Sequence, residues 1–325
     1  MFSGKNSAKI SKNTKLLIGL TAFLVIAYIL SFTKSCSSSD KREKVKTALV
    51  NQKYRDTIKE IALQDATGTI TLTNTGKFWT VARITESQKG PLQLRVDLPA
   101  SPERVNNLLE ELIKVRNLYK ISDKINKNSS LGLTNGTEFH IRYTYTSDNT
   151  TENFHELIFG NQDFSLSSRY MMTGESTQVY EIDDSMDAYL TTSIQSWTEP
   201  YIISREVLNL DIQTLTASYT NDSNHKSINR IDGSTEEVNK LLELRHGGLP
   251  SSDQILDSYT EEPLIRLDIE NGDKTSITMK INPLKSQENT YLVETVYCES
   301  NGYSIYNSYS TISSWTYNRI KEITL

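Results

Sequence analysis

Apolar and polar positions alternate through most of the chain beyond residue 58, and helical spacing interrupts that alternation at only a few places. Residues 138–146 set Phe139, Ile141, Tyr143 and Tyr145 against His140, Arg142 and Thr144, the period of two expected of a half-buried antiparallel strand. Segments 69–73, 78–83 and 210–219 carry the same signal. Between them, Val105, Leu108, Leu109, Leu112 and then Val115 or Arg116 fall on one helical stripe, with Ser101 placed to cap and Pro102 in the first turn. A second stripe, Val238, Leu241 and Leu242, follows the capping-box pair Ser234 and Glu237 and is expected to end at Gly247-Gly248. Asn271-Gly272 and Asn301-Gly302 read as hairpin turns, and short helices are expected around 186–197 and 311–320.

The two stripes are related. Residues 105–112 read VNNLLEEL and 238–245 read VNKLLELR, identical at five of eight positions. Downstream, 170–197 parallels 291–315, each segment opening on Tyr and closing on Trp. The expected fold is therefore α+β, with two repeated modules over 58–203 and 208–325, each a mainly antiparallel sheet with a principal helix on one face.

The start of the chain follows a different pattern. Residues 16–33 carry no charge, and 18 residues at about 1.5 Å each reach roughly 27 Å, enough to span a bilayer as a transmembrane anchor. Lys5, Lys9, Lys12 and Lys15 precede it in a basic tail, 1–15, placed on the cytoplasmic side, although Lys34, Lys41, Arg42, Lys44 and Lys46 follow the span. A Ser-rich, then charged stalk is expected over 34–57. The segment is longer than the apolar core of a cleaved signal peptide, so an uncleaved signal-anchor is the preferred reading. Lipidation of Cys36 is the main alternative, with Lys34 two residues before it suiting a lipobox poorly, and a buried soluble helix is the other. The expected location is the cytoplasmic (inner) membrane, single-pass, with the body on the extracytoplasmic (periplasmic) side.

Charge sharpens this division. Of 35 basic and 40 acidic residues, nine basic and two acidic lie in 1–46, so the remainder is strongly acidic and offers no electrostatic footprint for nucleic acid. Two cysteines, Cys36 and Cys298, make neither a disulfide framework nor a cysteine-based zinc site.

The runs RVDLPASPERVNNLLEELIKVRNLYKI, FHELIFGNQ, SSRYMM, QVYEID and YLTTSIQSW, together with Leu131-Gly132-Leu133, resemble the bacterial family labelled domain of unknown function 4340. The resemblance covers about 58–203, with a weaker echo in the second module. It implies a single-pass or lipid-anchored extracytoplasmic protein, of a kind often encoded beside gliding-motility-type ABC transporter components. No catalytic residues belong to that family's pattern. Leu131-Gly132-Leu133, Gly160 and Arg169-Tyr170 match its signature positions and read as turn and sheet determinants.

Candidate chemistry is sparse. A hairpin turning near 147–149 places His140 opposite His155, where the two share a metal if Glu138 or Glu156 is a third ligand; ordinary strand positions are the preferred reading. Asp183, Asp184 and Asp187 lack the spacing of an EF-hand loop, and the first two suit a helix N-cap. Tyr143, Tyr145, Tyr170, Tyr180, Tyr291, Tyr297, Tyr303, Tyr306 and Tyr309 fall on expected strands, as cross-strand packing or as a glycan- or peptide-binding face. Cys298 reads as a small buried hydrophobe. Asn128, Asn135, Asn149 and Asn221 fit glycosylation sequons, of consequence only in a eukaryotic secretory pathway. No G-x-S-x-G elbow, G-x-G-x-x-G or P-loop is present, so no catalytic, cofactor-binding or metal residue is assigned. The expected function is that of a non-enzymatic accessory or scaffold of an ABC-type transport or envelope machine, with the ABC permease or its auxiliary membrane protein as partner and a glycan- or peptide-binding protein as the alternative.

Overall fold

Each alternating run forms a strand. The computed structural model describes residues 43–86, 93–125, 130–134, 136–147, 151–203, 210–220, 226–259, 262–300, 302 and 304–325. The anchor expected over 16–33, Cys36 and the four sequons lie outside the described residues, among which no helix is long and apolar enough to cross a membrane.

In chain order, β1 (Lys44–Thr47) and a 3-10 helix (Gln52–Thr57) precede β2 (Ile58–Asp65), β3 (Gly68–Asn74), β4 (Trp79–Glu86) and β5 (Gln93–Pro99). Helix α1 (Pro102–Ile113) follows, then β6 (Arg116–Ser122), β7 (Phe139–Thr146), β8 (Glu152–Gln162), β9 (Ser168–Thr173) and β10 (Val179–Asp183). A 3-10 helix (Asp184–Tyr189) and α2 (Ile194–Trp197) close this half. The second half runs β11 (Ile212–Thr220), β12 (Lys226–Asp232), α3 (Glu236–Leu242), α4 (Ser252–Ser258), β13 (Ile265–Asn271), β14 (Ser276–Pro283), β15 (Thr290–Cys298), β16 (Ser304–Ser313) and α5 (Ser314–Thr324).

The strands make two sheets, ordered β1-β6-β10-β9-β8-β7-β2-β3-β4-β5 and β12-β11-β13-β14-β15-β16. Within the first, β10-β9-β8-β7-β2-β3 has the order of the whole second sheet, β16-β15-β14-β13-β11-β12: a hairpin whose first strand receives a four-strand meander. A helix lies between hairpin and meander in each half. The first sheet adds the β4–β5 hairpin beyond β3 and β6 with β1 beyond β10, and β5 lies along β16 of the second sheet without forming a ladder.

Val105, Leu108 and Leu112 of α1 are fully buried against Ile61, Leu63, Leu72 and Ile141. Each such leucine contributes about 1.5–3 kcal/mol of burial free energy. In the second half Val238 and Leu241 of α3 and Ile320 and Ile323 of α5 cover the inner face of the sheet, while Ile255 of α4 packs with Leu284 and Leu292 on the other. Residues Val45–Leu325 form one compact unit, with Leu49 and Val50 in its first core. The end of the segment expected as a stalk is therefore part of the folded body.

Helix ends differ from expectation for local reasons. Helix α1 stops at Ile113, leaving Val115 exposed, because the Arg116 side chain turns inward to Glu111, Asp183 and Ser185. Ser101 occupies the N-cap position without a side-chain cap bond. Thr235, not Ser234, is the N-cap of α3, since the Ser234 hydroxyl and N–H both donate to Asp232 Oδ1. Gly247 and Gly248 do not end that helix; they pair with Thr311 as an isolated bridge.

Candidate functional site

The signature positions of the resemblance meet at the base of the β8–β9 hairpin. Strand β8 bulges between Phe159 and Gln162, so Gly160 and Asn161 stand where one residue would pair. The Asn161 N–H donates to Leu131 O at 2.7 Å, and its side-chain amide donates to Ser130 O at 2.9 Å. A Cβ on Gly160 would lie 2.1 Å from Leu131 O. Gly132 adopts φ +69°, a left-handed conformation suited to glycine, with Asn161 directly beneath it. Arg169 on β9 donates to Gly160 O and, through Nε, to Asp187 Oδ1 at 2.6 Å. Asp187 also accepts from Gln162. Turn and sheet determinants is what these residues are.

Beyond this base the hairpin carries a short, ordered tip. Asp163 Oδ1 accepts from the Ser167 and Ser168 N–H groups, and Oδ2 accepts from the Ser165 hydroxyl at 2.6 Å. The Ser165 hydroxyl outweighs burial and, with the backbone N–H groups of Ser168, Ser165 and Ser167, holds the Asp163 carboxyl below its ordinary range. Leu166 sits at φ +58°, costing about 1–2 kcal/mol for a non-glycine residue. The tip turns two large apolar side chains outward: Phe164 is 100% exposed and Leu166 65%. Val115 at the α1–β6 turn is 60% exposed. Asp183, opposite Ser168 in the β9–β10 register, and its neighbour Asp184 are also exposed. No motif announced this tip; the only sequence signal is Phe164 and Leu166 standing among Asp and Ser between two strand runs.

Asp183 is the N-cap of the 3-10 helix, accepting from the Ser185 N–H at 3.2 Å, as the spacing suggested. Its Oδ1 also lies 3.3 Å from the guanidinium of Arg116, whose side chain is 3% exposed. Burial alone would raise the Glu111 carboxyl, but hydrogen bonds from Lys114, Ser185 and Arg116 bring it below its ordinary value.

The histidine pairing does not form. His140 lies opposite Ile158 and His155 opposite Tyr143. His140 is on the outer face, with Nδ1 2.9 Å from Glu156 Oε1, while His155 shares the inner face with the Tyr143 ring, 5.6 Å away between centroids. Glu156 is further taken by Arg142 at 2.6 Å, and no cluster of three metal-ligating side chains occurs among the described residues.

The tyrosines are spent mostly on packing. Tyr143, Tyr297 and Tyr306 are buried, Tyr145 stands against Tyr54, Tyr180 and Tyr170 pack on apolar clusters, and Tyr291 stacks on Tyr317 at 4.0 Å. Tyr309 donates to Glu294 Oε1, and burial followed by that carboxylate pushes its hydroxyl up to about 12. Tyr303 lies outside the described residues. Cys298 is a free, half-buried thiol at the end of β15.

The architecture is that of an α+β protein of two antiparallel sheets with few helices. Residues 91–245 match the family model described as domain of unknown function (DUF4340). The match opens near β5 and ends just past α3, so it contains both copies of the helix motif. No curated protein and no solved structure matches the chain.

Proposed function

We propose that the protein is a non-enzymatic accessory or scaffold, anchored by the apolar segment 16–33 in the cytoplasmic membrane, with its body on the extracytoplasmic side and an ABC permease or its auxiliary membrane protein as partner. One helix cannot line a path for a polar solute, so the anchor's role is to hold the body beside a larger membrane complex. The observation that carries the reading is the β8–β9 tip. A fully exposed Phe164 on a hairpin clamped by Gly160, Arg169 and Asp187 is a rigid apolar contact, the kind of side chain that anchors protein interfaces. Charged side chains away from the tip are also taken up in ion pairs, as in Lys280–Glu294 and Arg266–Asp268.

The body is further proposed to be a degenerate duplication. Two halves of like strand order, each with a helix of related sequence at the same point, support it. The two tryptophans that close the matched segments have diverged, Trp197 being buried and Trp315 exposed.

Crosslinking of the full chain in its membrane, followed by mild-detergent purification, tests the scaffold reading. The permease or auxiliary protein should be recovered, and recovery should fall when Phe164 and Leu166 are both changed to Ser. Undiminished recovery with the double variant would remove the tip from the proposal.

A further inference from the structure

Three tryptophans occur in the chain, and their environments differ. Trp197 is fully buried, Trp79 packs against the first core, and Trp315 is 69% exposed. An indole so exposed is uncommon, because its large apolar surface favours burial. Trp315 stands in the first turn of α5, with Arg319 and Glu322 one and two turns along the same face. Lys240 of α3, Glu243 and Leu244 form the opposite wall and floor of an open groove of about 400 Å³. That volume falls within the range of about 300–1,000 Å³ usual for small-molecule sites.

We infer that this groove is a saccharide-binding site. A pyranose ring has an apolar C–H face, which suits the indole plane of Trp315, and a rim of hydroxyls that both donate and accept hydrogen bonds. The groove offers both complements. Glu243 and Glu322 accept, while Lys240 and Arg319 donate. The two cations and two carboxylates balance, so a small anion or cation entering the groove meets a repelling partner beside each attracting one, whereas a neutral polyhydroxyl ligand does not. Extended peptides need a strand edge or a continuous apolar trough, and the apolar lining here is Trp315 and Leu244 alone. Ion pairs already in place hold three of the four charged groups, Arg319 Nη1 lying 3.0 Å from Glu322 Oε2 and Lys240 Nζ 2.7 Å from Glu236 Oε1, and Glu243 is the fourth.

Trp315 also supplies the readout. The full-length chain in detergent solution is titrated with an N-acetylglucosamine tetramer and with cellotetraose, following tryptophan emission. A saturable change with either sugar is expected, lost in Trp315→Phe and Trp315→Ala, while thermal unfolding of both variants stays at the parent's midpoint. Glu243→Gln leaves the emitting ring in place and should weaken the apparent affinity by about tenfold, the scale of one charge-assisted hydrogen bond. Absence of a saturable response to both sugars overturns the inference. So does a response that survives Trp315→Ala, or a response to inorganic phosphate that matches the sugar response. None of these results bears on the Phe164 tip, whose test is separate.

Discussion

Arg169 Nε lies 2.6 Å from Asp187 Oδ1, fastening β9 to the 3-10 helix that follows β10. Both side chains are about one-fifth exposed, so the pair is neither a surface contact nor fully dry. Asp187→Ala should leave the guanidinium with only Gly160 O and cost about 2–3 kcal/mol, below the figure for fully buried pairs. Urea unfolding should report this as a lower midpoint with an unchanged slope.

Gly160→Ala places its new methyl against a backbone carbonyl that has no rotamer to yield. The expected loss is about 3 kcal/mol, the upper end of the overpacking range. Gly76→Ala, at φ +88° with open space around the new atom, is the matched comparison and should cost only the backbone term of about 1 kcal/mol.

Leu166→Gly should act in the other direction on stability. It removes the left-handed strain, so unfolding should shift up by a few tenths to about 1 kcal/mol. It also removes half of the exposed apolar tip, so recovery of the membrane partner should fall. Stability and association moving oppositely is the signature of a residue kept for contact.

Burial lowers the pKa of His246, against a smaller raising effect from its hydrogen bond to Glu199 O. The unfolded histidine therefore takes up its proton at higher pH than the folded one. Stability should decline as pH falls from the unfolded value near 6.5 towards the depressed folded value, with no contribution from this group above that window. His246→Gln keeps a donor for Glu199 O and should flatten the decline, seen as a smaller difference between denaturation midpoints at pH 7.5 and 5.5.

Membrane-impermeant thiol labelling of single-cysteine variants in intact spheroplasts should modify exposed sites after residue 40 and spare sites before residue 15. The reverse pattern would place the body inside the cell.

Strand positions were legible because each sheet has one buried face, and that face writes a period of two into the sequence. Register was not. The chain between β7 and β8, residues 147–151, is longer than the turn the sequence suggested, and the shift it imposes is odd. An odd shift sends a side chain to the opposite face, which is why His155 meets Tyr143 and not His140. The end of α1 was hidden for a tertiary reason: nothing near Arg116 in sequence foretells that Asp183 and Ser185 will draw it inward. The Phe164 tip and the Trp315 groove were illegible in the same way, since exposure is a property of what fails to cover a residue.

The β4–β5 hairpin, one of two additions to the first sheet, ends in β5, and β5 runs beside β16. Two open sheets have four free edges, each able to recruit a foreign strand. Setting β5 against β16 screens two of them at once and leaves β1 and β12 outermost. On β12, Ile228 is 72% exposed, with the cationic Arg230 two residues along on the same face. Among the described strands, fibre-like stacking would therefore have to begin at one of seven residues or one of four, and the longer of the two already carries a positive charge against it.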